Sequence, residues 1–248
     1  MNISVPTDET AELIAAVRRD GFRFVAAPLM RSLLERGLPL VGWERFAASW
    51  NDLGPDPYLA RLGRKRRRRH AMFSATASGP IRRAPHQPHF QSGAYNALQG
   101  DIERWFEPML PEVGDSAVLQ RILEFSRDFF GRLAPDVASW HIELHQFRIE
   151  ASADHAGEPT PEGVHRDGVD FVLVLLIDRD NIASGTTTIR TADGRELGSF
   201  TLRWPLDAAL VDDGRVYHGV TPVSAVEPGL AAHRDVLVLT FTGGHWVK

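Results

Sequence analysis

The chain of 248 residues contains no cysteine. Disulfides, thiolate zinc sites, iron–sulfur clusters and cysteine nucleophiles are excluded in one step. A secreted protein can also lack cysteine, so this absence favours the cytosol only weakly. Long apolar runs are missing too: the longest, Phe171 to Ile177, is far too short to cross a bilayer. The opening Met1-Asn2-Ile3-Ser4-Val5-Pro6 has no basic region followed by an apolar stretch, so no signal peptide is expected. The net charge of -4 offers no general attraction to nucleic acid or anionic lipid. Internal repeats, low-complexity tracts and long linkers are also absent. These absences predict a soluble, cytoplasmic protein with neither a nucleic-acid nor a membrane partner.

What is present is the composition of an ordinary globular chain, 43% hydrophobic and 24% charged, which is enough to bury a sizeable core. The period of the apolar residues changes along it. Up to about residue 135 it reads as helices and loops: Leu13, Ile14 and Val17 share one helical face, Pro28 opens a helix that stops at Gly37, and further helices are expected at Trp43–Leu53, Asp101–Phe106 and Asp115–Leu133. From about 138 to 248 short strands follow one another: Trp140–Ala151, Phe171–Ile177, Thr186–Arg190, Leu197–Leu202, Ala208–Val211, Val216–Val220 and Arg234–Phe241, separated by glycine-bearing turns. Closely spaced strands favour a jelly roll over alternating βαβ units. The expected fold is therefore α+β: one domain over 1–248, with N-terminal helices packed on a double-stranded β-helix (jelly-roll) barrel.

Val164-His165-Arg166-Asp167-Gly168 carries the chemistry. On an extended strand His165 and Asp167 point to the same side. A later strand carries His218 in Val216-Tyr217-His218-Gly219-Val220. Two imidazoles and one carboxylate on one face of an octahedron leave three positions open, the ligand set of non-haem Fe(II) oxygenases. A His-x-Asp alone is more often a surface pair; its place before a buried strand, with a second histidine on a later one, selects it. Asp154, His155, Asp212, Asp213 and His233 are assigned to turns and solvent. In Arg234-Asp235-Val236-Leu237-Val238-Leu239-Thr240-Phe241, alternation puts Arg234 among the apolar side chains of one strand face. A buried guanidinium needs a partner. It is either salt-bridged to a buried acid or a bidentate grip on a ligand carboxylate, here the distal carboxylate of 2-oxoglutarate.

With these residues in view, the chain resembles the 2-oxoglutarate/Fe(II) dioxygenases that include L-isoleucine 4-hydroxylase and related free-amino-acid hydroxylases. The resemblance runs from about Tyr58 to Phe241. It rests on Arg66-Arg67-Arg68-Arg69, His86-Gln87-Pro88-His89-Phe90-Gln91, Tyr95-Asn96, His145-Gln146-Phe147-Arg148-Ile149, Pro161-Glu162-Gly163-Val164-His165-Arg166-Asp167-Gly168, Asp212-Asp213-Gly214-Arg215-Val216-Tyr217-His218 and Arg234-Asp235-Val236. It implies His165, Asp167 and His218 as iron ligands and Arg234 as the cosubstrate anchor. One departure is Ala183-Ser184-Gly185, where relatives carry Gly-Gly after the Asn-Ile pair. For the basic run Arg64–Arg69, a solvated turn or strand edge outweighs nucleic-acid binding. The resemblance adds a third reading, in which Arg67 or Arg68 reaches the carboxylate of an amino-acid substrate. Gln91, Asn96, Gln146 and Arg148 are the other candidate substrate residues, and satisfying buried backbone groups is the competing role for each.

The expected activity is hydroxylation of a free L-amino acid or close derivative, consuming O2 and 2-oxoglutarate and releasing succinate and CO2. The rivals are a cupin-like metal enzyme that does not use 2-oxoglutarate, a non-catalytic metal-binding sensor or stress-related protein, and, on the basic run alone, a nucleic-acid demethylase. A homodimer is left open as the assembly.

Overall fold

The computed structural model describes residues 7–96 and 98–244. Residues 1–6, on which the expectation of no signal peptide rests, lie outside them. Among the described residues six helices carry the N-terminal side. α1 (Thr7–Asp20) turns Leu13, Ile14 and Val17 inward. α2 (Ala27–Glu35) opens with Pro28, whose missing N–H is no loss in a first turn, and ends at Arg36 and Gly37 in the left-handed region. α3 (Trp43–Ala48) continues into a 3-10 turn, and the single-turn helices α4 (Pro57–Ala60) and α5 (Pro111–Gly114) follow. In α6 (Ala117–Leu133) the Ser116 hydroxyl caps the start by accepting from the Leu119 N–H. Leu119, Ile122, Phe129 and Phe130 recur at helical spacing along its buried side.

The strands form two facing layers. The larger sheet contains β1 (Phe22–Val25), β2 (Gly54–Pro55), β3 (Arg66–Thr76), β4 (Arg82–Arg83), β5 (Ser139–Ala151) and β6 (Phe171–Asp180), completed by β10 (Ala208–Asp212) and β13 (Ala232–Gly243). Its order is β1-β10-β6-β13-β5-β3-β2, with β4 on β3. The opposite layer is built from β8 (Thr186–Arg190), β9 (Glu196–Thr201) and β11 (Tyr217–Val220), beside the pair β7 (Ile182–Ser184) and β12 (Val223–Ala225). All these pairings are antiparallel.

Alternation gives the larger sheet two different faces. Ile142 and Leu144 of β5, Leu173 and Leu175 of β6, and Leu237, Leu239 and Phe241 of β13 pack against the helices as the main core. The opposite face of the same strands looks into the barrel. The jelly-roll expectation is met, and the strand boundaries agree within a few residues. Two expectations fail. The segment before residue 135 is not purely helical, because β1 and β3 lie in it and the basic run enters β3. Asp101–Phe106 is not a helix: Asp101 has φ 60°, His89 and Arg104 exchange backbone hydrogen bonds at 2.9 Å, and the Trp105 N–H donates to the Tyr58 hydroxyl. Its backbone groups are spent on partners distant in sequence. Among the described residues no helix is long and apolar enough to cross a membrane.

Phe130 is fully buried, stacked on Phe171 at 4.9 Å and edge-on to Phe241 at 5.1 Å, and so joins α6 to the sheet. Phe130→Ala is expected to cost about 3–5 kcal/mol in chemical denaturation; a loss below about 1 kcal/mol would contradict this packing.

Candidate active site

The barrel face of the larger sheet and the opposite layer enclose a cavity of about 330 Å³. That is the small end of ligand pockets and suits small molecules. Val172 and Val174, Ala209 and Val211, and Val236 and Val238 give it an apolar floor, while Arg66, Arg68, Arg104, Arg234, Glu143 and Glu162 put charge on its walls.

His165, Asp167 and His218 converge there. The two imidazole Nε2 atoms each lie 3.5 Å from a different Asp167 carboxylate oxygen, and the rings are 4.7 Å apart. The convergence does not come from a shared strand, as the alternation argument supposed. His165 pairs with His218 of β11 through two backbone hydrogen bonds of 2.9 Å, while Asp167 lies in the turn that leads to β6. Gly168 makes that turn possible, because its φ is +81° and a Cβ would stand 2.5 Å from the Tyr95 ring. Asp213 then fixes it. Its carboxylate accepts from the backbone N–H groups of Asp167, Gly168 and Val169 at 3.0, 2.8 and 3.2 Å, and lies 3.7 Å from His218 Nδ1. Asp213 is fully buried, so its assignment to solvent is corrected. Asp154, His155 and Asp212 have no such role.

The His165 Nδ1–H donates to the Gly163 carbonyl at 3.0 Å, which turns Nε2 toward the carboxylate. Burial disfavours the charged form of His165, but Asp167 outweighs it and pushes the imidazole up to about 9. Burial also opposes ionisation of Asp167, yet the two imidazoles hold it well below the usual carboxylate range. Once a cation displaces the proton that Asp167 favours on His165, two imidazole nitrogens and an ionised oxygen are the donor set a divalent cation takes.

Arg234 of β13 faces the same cavity, 2% exposed. Among the described residues no hydrogen bond or ion pair reaches its guanidinium, and its Nε is buried without a partner. The neighbouring acid, Asp235, points to the other face of the strand, where Arg148 holds it at 2.6 and 2.8 Å. Burial and Arg179 pull Arg234 down to about 10. Of the two expected roles, the salt bridge to a buried acid is not formed. Gly185 bears on the departure noted in the sequence. Ser184 and Gly185 both have positive φ, and a Cβ on Gly185 would meet Val223 at 2.9 Å and Arg179 Nη1 at 3.2 Å beside the Arg234 stem. The glycine is kept where the stem passes, and the serine adopts the left-handed conformation.

The candidate substrate residues divide by strand face. Arg68 points inward, as does Arg66, which was not selected. Arg67 points outward, pairing with Glu150 at 2.9 Å and the Leu53 carbonyl, so its substrate role is corrected. Other arginines of the basic run are also paired: Arg64 with Glu158, Arg66 with Asp56, and Arg69 with Asp52 and Glu107. Gln146 and Arg148 share a face of β5, but it is the helix side. Gln146 donates to Ser49 Oγ, Arg148 bonds Asn51 and Asp235, and neither lines the cavity. Gln91 and Asn96 do line it. The Gln91 amide donates to the Asp167 carbonyl at 3.1 Å and accepts from Asn96 at 2.9 Å.

The cavity face of β5 instead carries Glu143, His145, Phe147 and Ile149. The signal was available: Ile142 and Leu144 continue the apolar helix-side face, so the alternate residues had to face inward. Glu143 sits in a cage of imidazoles, 2.6 Å from His89 Nδ1, 3.3 Å from His70 Nε2 and 3.7 Å from His145 Nε2. An arginine can only donate, so the 2.7 Å contact from Arg68 Nη2 makes His145 Nδ1 an acceptor and its Nε2 an N–H. With the 2.6 Å His89 contact at hydrogen-bond length, this cluster is a carboxylate accepting N–H bonds, unlike the wider triad. Burial opposes charge on Glu143, but His89 and the other imidazoles keep it ionised, well below its usual range.

Burial brings His70 down to about 4 despite Glu143, and lowers His89 and His145 in the same direction. Between pH 6.5 and 4 the unfolded chain therefore binds more protons than the folded one, so folding stability should fall as pH drops through that window. Thermal unfolding across this range should show that fall in the wild type and a shallower one in His70→Gln; equal slopes would contradict a neutral buried His70.

Comparison with known proteins agrees with this geometry. The chain is 28% identical over 202 residues to the 3(1)-hydroxy-L-isoleucine 4-dioxygenase of Pantoea ananatis, covering 80% of each chain. It is 29% identical over 157 residues to the L-isoleucine-4-hydroxylase of Bacillus thuringiensis, covering 62% of this chain and 65% of the other. The crystal structure of a BsmA homologue from Methylobium petroleophilum PM1 superimposes with a TM-score of 0.85 at 36% identity, over 96% of this chain and 95% of that one. The sequence pattern of the 2OG-Fe dioxygenases matches residues 47–240, most of the chain, and the protein belongs to that family.

Proposed function

We propose that His165 and His218, through Nε2, and Asp167, through its carboxylate, hold the iron(II), that Arg234 receives the distal carboxylate of 2-oxoglutarate, and that the substrate is a free L-amino acid or close derivative, which is hydroxylated. The observation that carries this reading is the meeting, in one 330 Å³ cavity, of three convergent ligand side chains and a buried guanidinium with no partner of its own. The named activities of the Pantoea and Bacillus relatives support the substrate class.

When bound, iron and 2-oxoglutarate supply oxidative decarboxylation to succinate and CO2, coupled to insertion of one atom of O2 into the substrate. The protein supplies position and dryness. Asp213 holds the turn bearing Asp167, so the carboxylate is aimed before a cation arrives. Arg234 gives a dicarboxylate one fixed orientation, because a guanidinium fork grips a carboxylate at two points. The valines of β6, β10 and β13 keep water from the reacting carbon and present no polar group to compete for it. Arg68, Gln91 and Asn96 form the polar wall toward the substrate. A cytoplasmic setting belongs to the same reading.

Two measurements test it. With iron restored under anaerobic conditions and O2 then admitted, mass spectrometry of the twenty L-amino acids should find one or more that gain one oxygen with stoichiometric succinate; no gain across the panel would reject the substrate class. Arg234→Met should raise the KM for 2-oxoglutarate by about ten- to a hundredfold, the loss of a charge-assisted pair. An unchanged KM would remove Arg234 from its role.

A further inference from the structure

Glu162 stands in the cavity wall with a carboxylate that the protein does not satisfy. Among the described residues its Oε1 accepts only a long 3.4 Å bond from the Asn96 amide, and its Oε2 is buried with no partner. Its charge acts on both His165 of the proposed metal centre and Arg104 of the wall. A buried carboxylate oxygen without a donor is costly unless a ligand brings one.

The complementary charge is nearby. Arg68 and Arg104 are each 2% exposed, face the cavity, and have an Nε buried without a partner. Asp56 neutralises them only in part. Its Oδ1 accepts from the Tyr58 and Leu59 N–H groups, its Oδ2 takes Arg66 at 2.8 and 3.2 Å, and Arg68 is left at 3.7 Å. Arg104 bonds only side-chain amides, Gln99 at 2.8 Å and Gln91 at 3.5 Å. Arg68 is held in place by the Phe106 ring 3.4 Å beneath its guanidinium and by His145, itself tied to Glu143. The wall therefore presents two fixed, underpaired cations and one underpaired anion. That pattern fits a ligand carrying one negative and one positive group close together.

We propose that Glu162 binds the ammonium group of the substrate while Arg68 and Arg104 take its carboxylate, so that the zwitterionic end of an amino acid is held at this wall and its side chain is directed to the metal centre. This rests on the amino-acid reading above and assigns its specificity to a residue that the sequence motif contains but the metal and cosubstrate do not use.

Calorimetric titration under anaerobic conditions, with metal and 2-oxoglutarate bound, tests the assignment. The probes are the twenty L-amino acids and, for each one that binds, the carboxylic acid lacking the ammonium and the amide lacking the carboxylate. The wild type should bind the amino acid about ten- to a hundredfold more tightly than its des-amino acid. Glu162→Gln should shrink that difference to within about threefold, with thermal unfolding as the check on folding. Arg104→Met should weaken the amino acid and the des-amino acid alike and leave the amide unaffected. Equal wild-type affinity for the amino acid and its des-amino acid overturns the role of Glu162 without any variant, and so does a preference that survives Glu162→Gln. If 2-oxoglutarate binds and no amino acid does, the substrate class itself fails and takes this assignment with it.

Discussion

Two backbone hydrogen bonds between His165 and His218 are the constraint on which the rest of the site depends. They set the imidazoles side by side although the residues lie on separate segments of the chain, and they do so before any cation is considered. Asp213 completes the arrangement by drawing the backbone of Asp167, Gly168 and Val169 onto one buried carboxylate, which settles where the Asp167 side chain must point. The crowding of a carboxylate and two imidazoles is thus imposed by main-chain pairing rather than by mutual attraction.

The same economy governs the cavity charges. Most charged groups that do not face it are paired nearby: Arg67 with Glu150, Arg69 with Asp52 and Glu107, Arg148 with Asp235. Of those that do face it, Arg66 and Glu143 are paired, whereas Arg68, Arg104, Glu162 and most plainly Arg234 are left short of partners. Burying an unpaired guanidinium costs several kcal/mol, on the order of the desolvation penalty per ion. The large helix-packed core on the other face of the sheet is where such a cost is offset, and the two faces of β5 and β13 divide the labour between stability and chemistry. Family membership removes the two rival readings that did without 2-oxoglutarate turnover, the cupin-like enzyme and the metal-binding sensor.

Much of this was legible in the sequence, for physical reasons. Alternation along β13 put Arg234 on the right face, and the uninterrupted apolar run of β6 marked a strand covered on both sides. The candidate triad was recognisable from residue type and order, although the reason for its convergence was not, since a turn held by a distant aspartate leaves no periodic trace. The errors share a cause. A strand with side chains on both faces shows which residues go together, and the set that looks at the helices is told only by its apolar members, as Ile142 and Leu144 tell it on β5. Gln146 and Arg148 belong to that set rather than to the cavity, and Arg67 could not be told from Arg68. Glu143 and its imidazoles were missed because the cage is assembled from three segments, and the false helix at Asp101–Phe106 because its backbone partners are remote.

The most direct test of the central claim is a crystal structure with manganese and 2-oxoglutarate bound, with the metal located by its anomalous scattering. The account predicts one peak between His165 Nε2, His218 Nε2 and the Asp167 carboxylate, with the far carboxylate of 2-oxoglutarate on Arg234. A peak at the Glu143 cluster with nothing at the triad, or a cosubstrate turned away from Arg234, would contradict it.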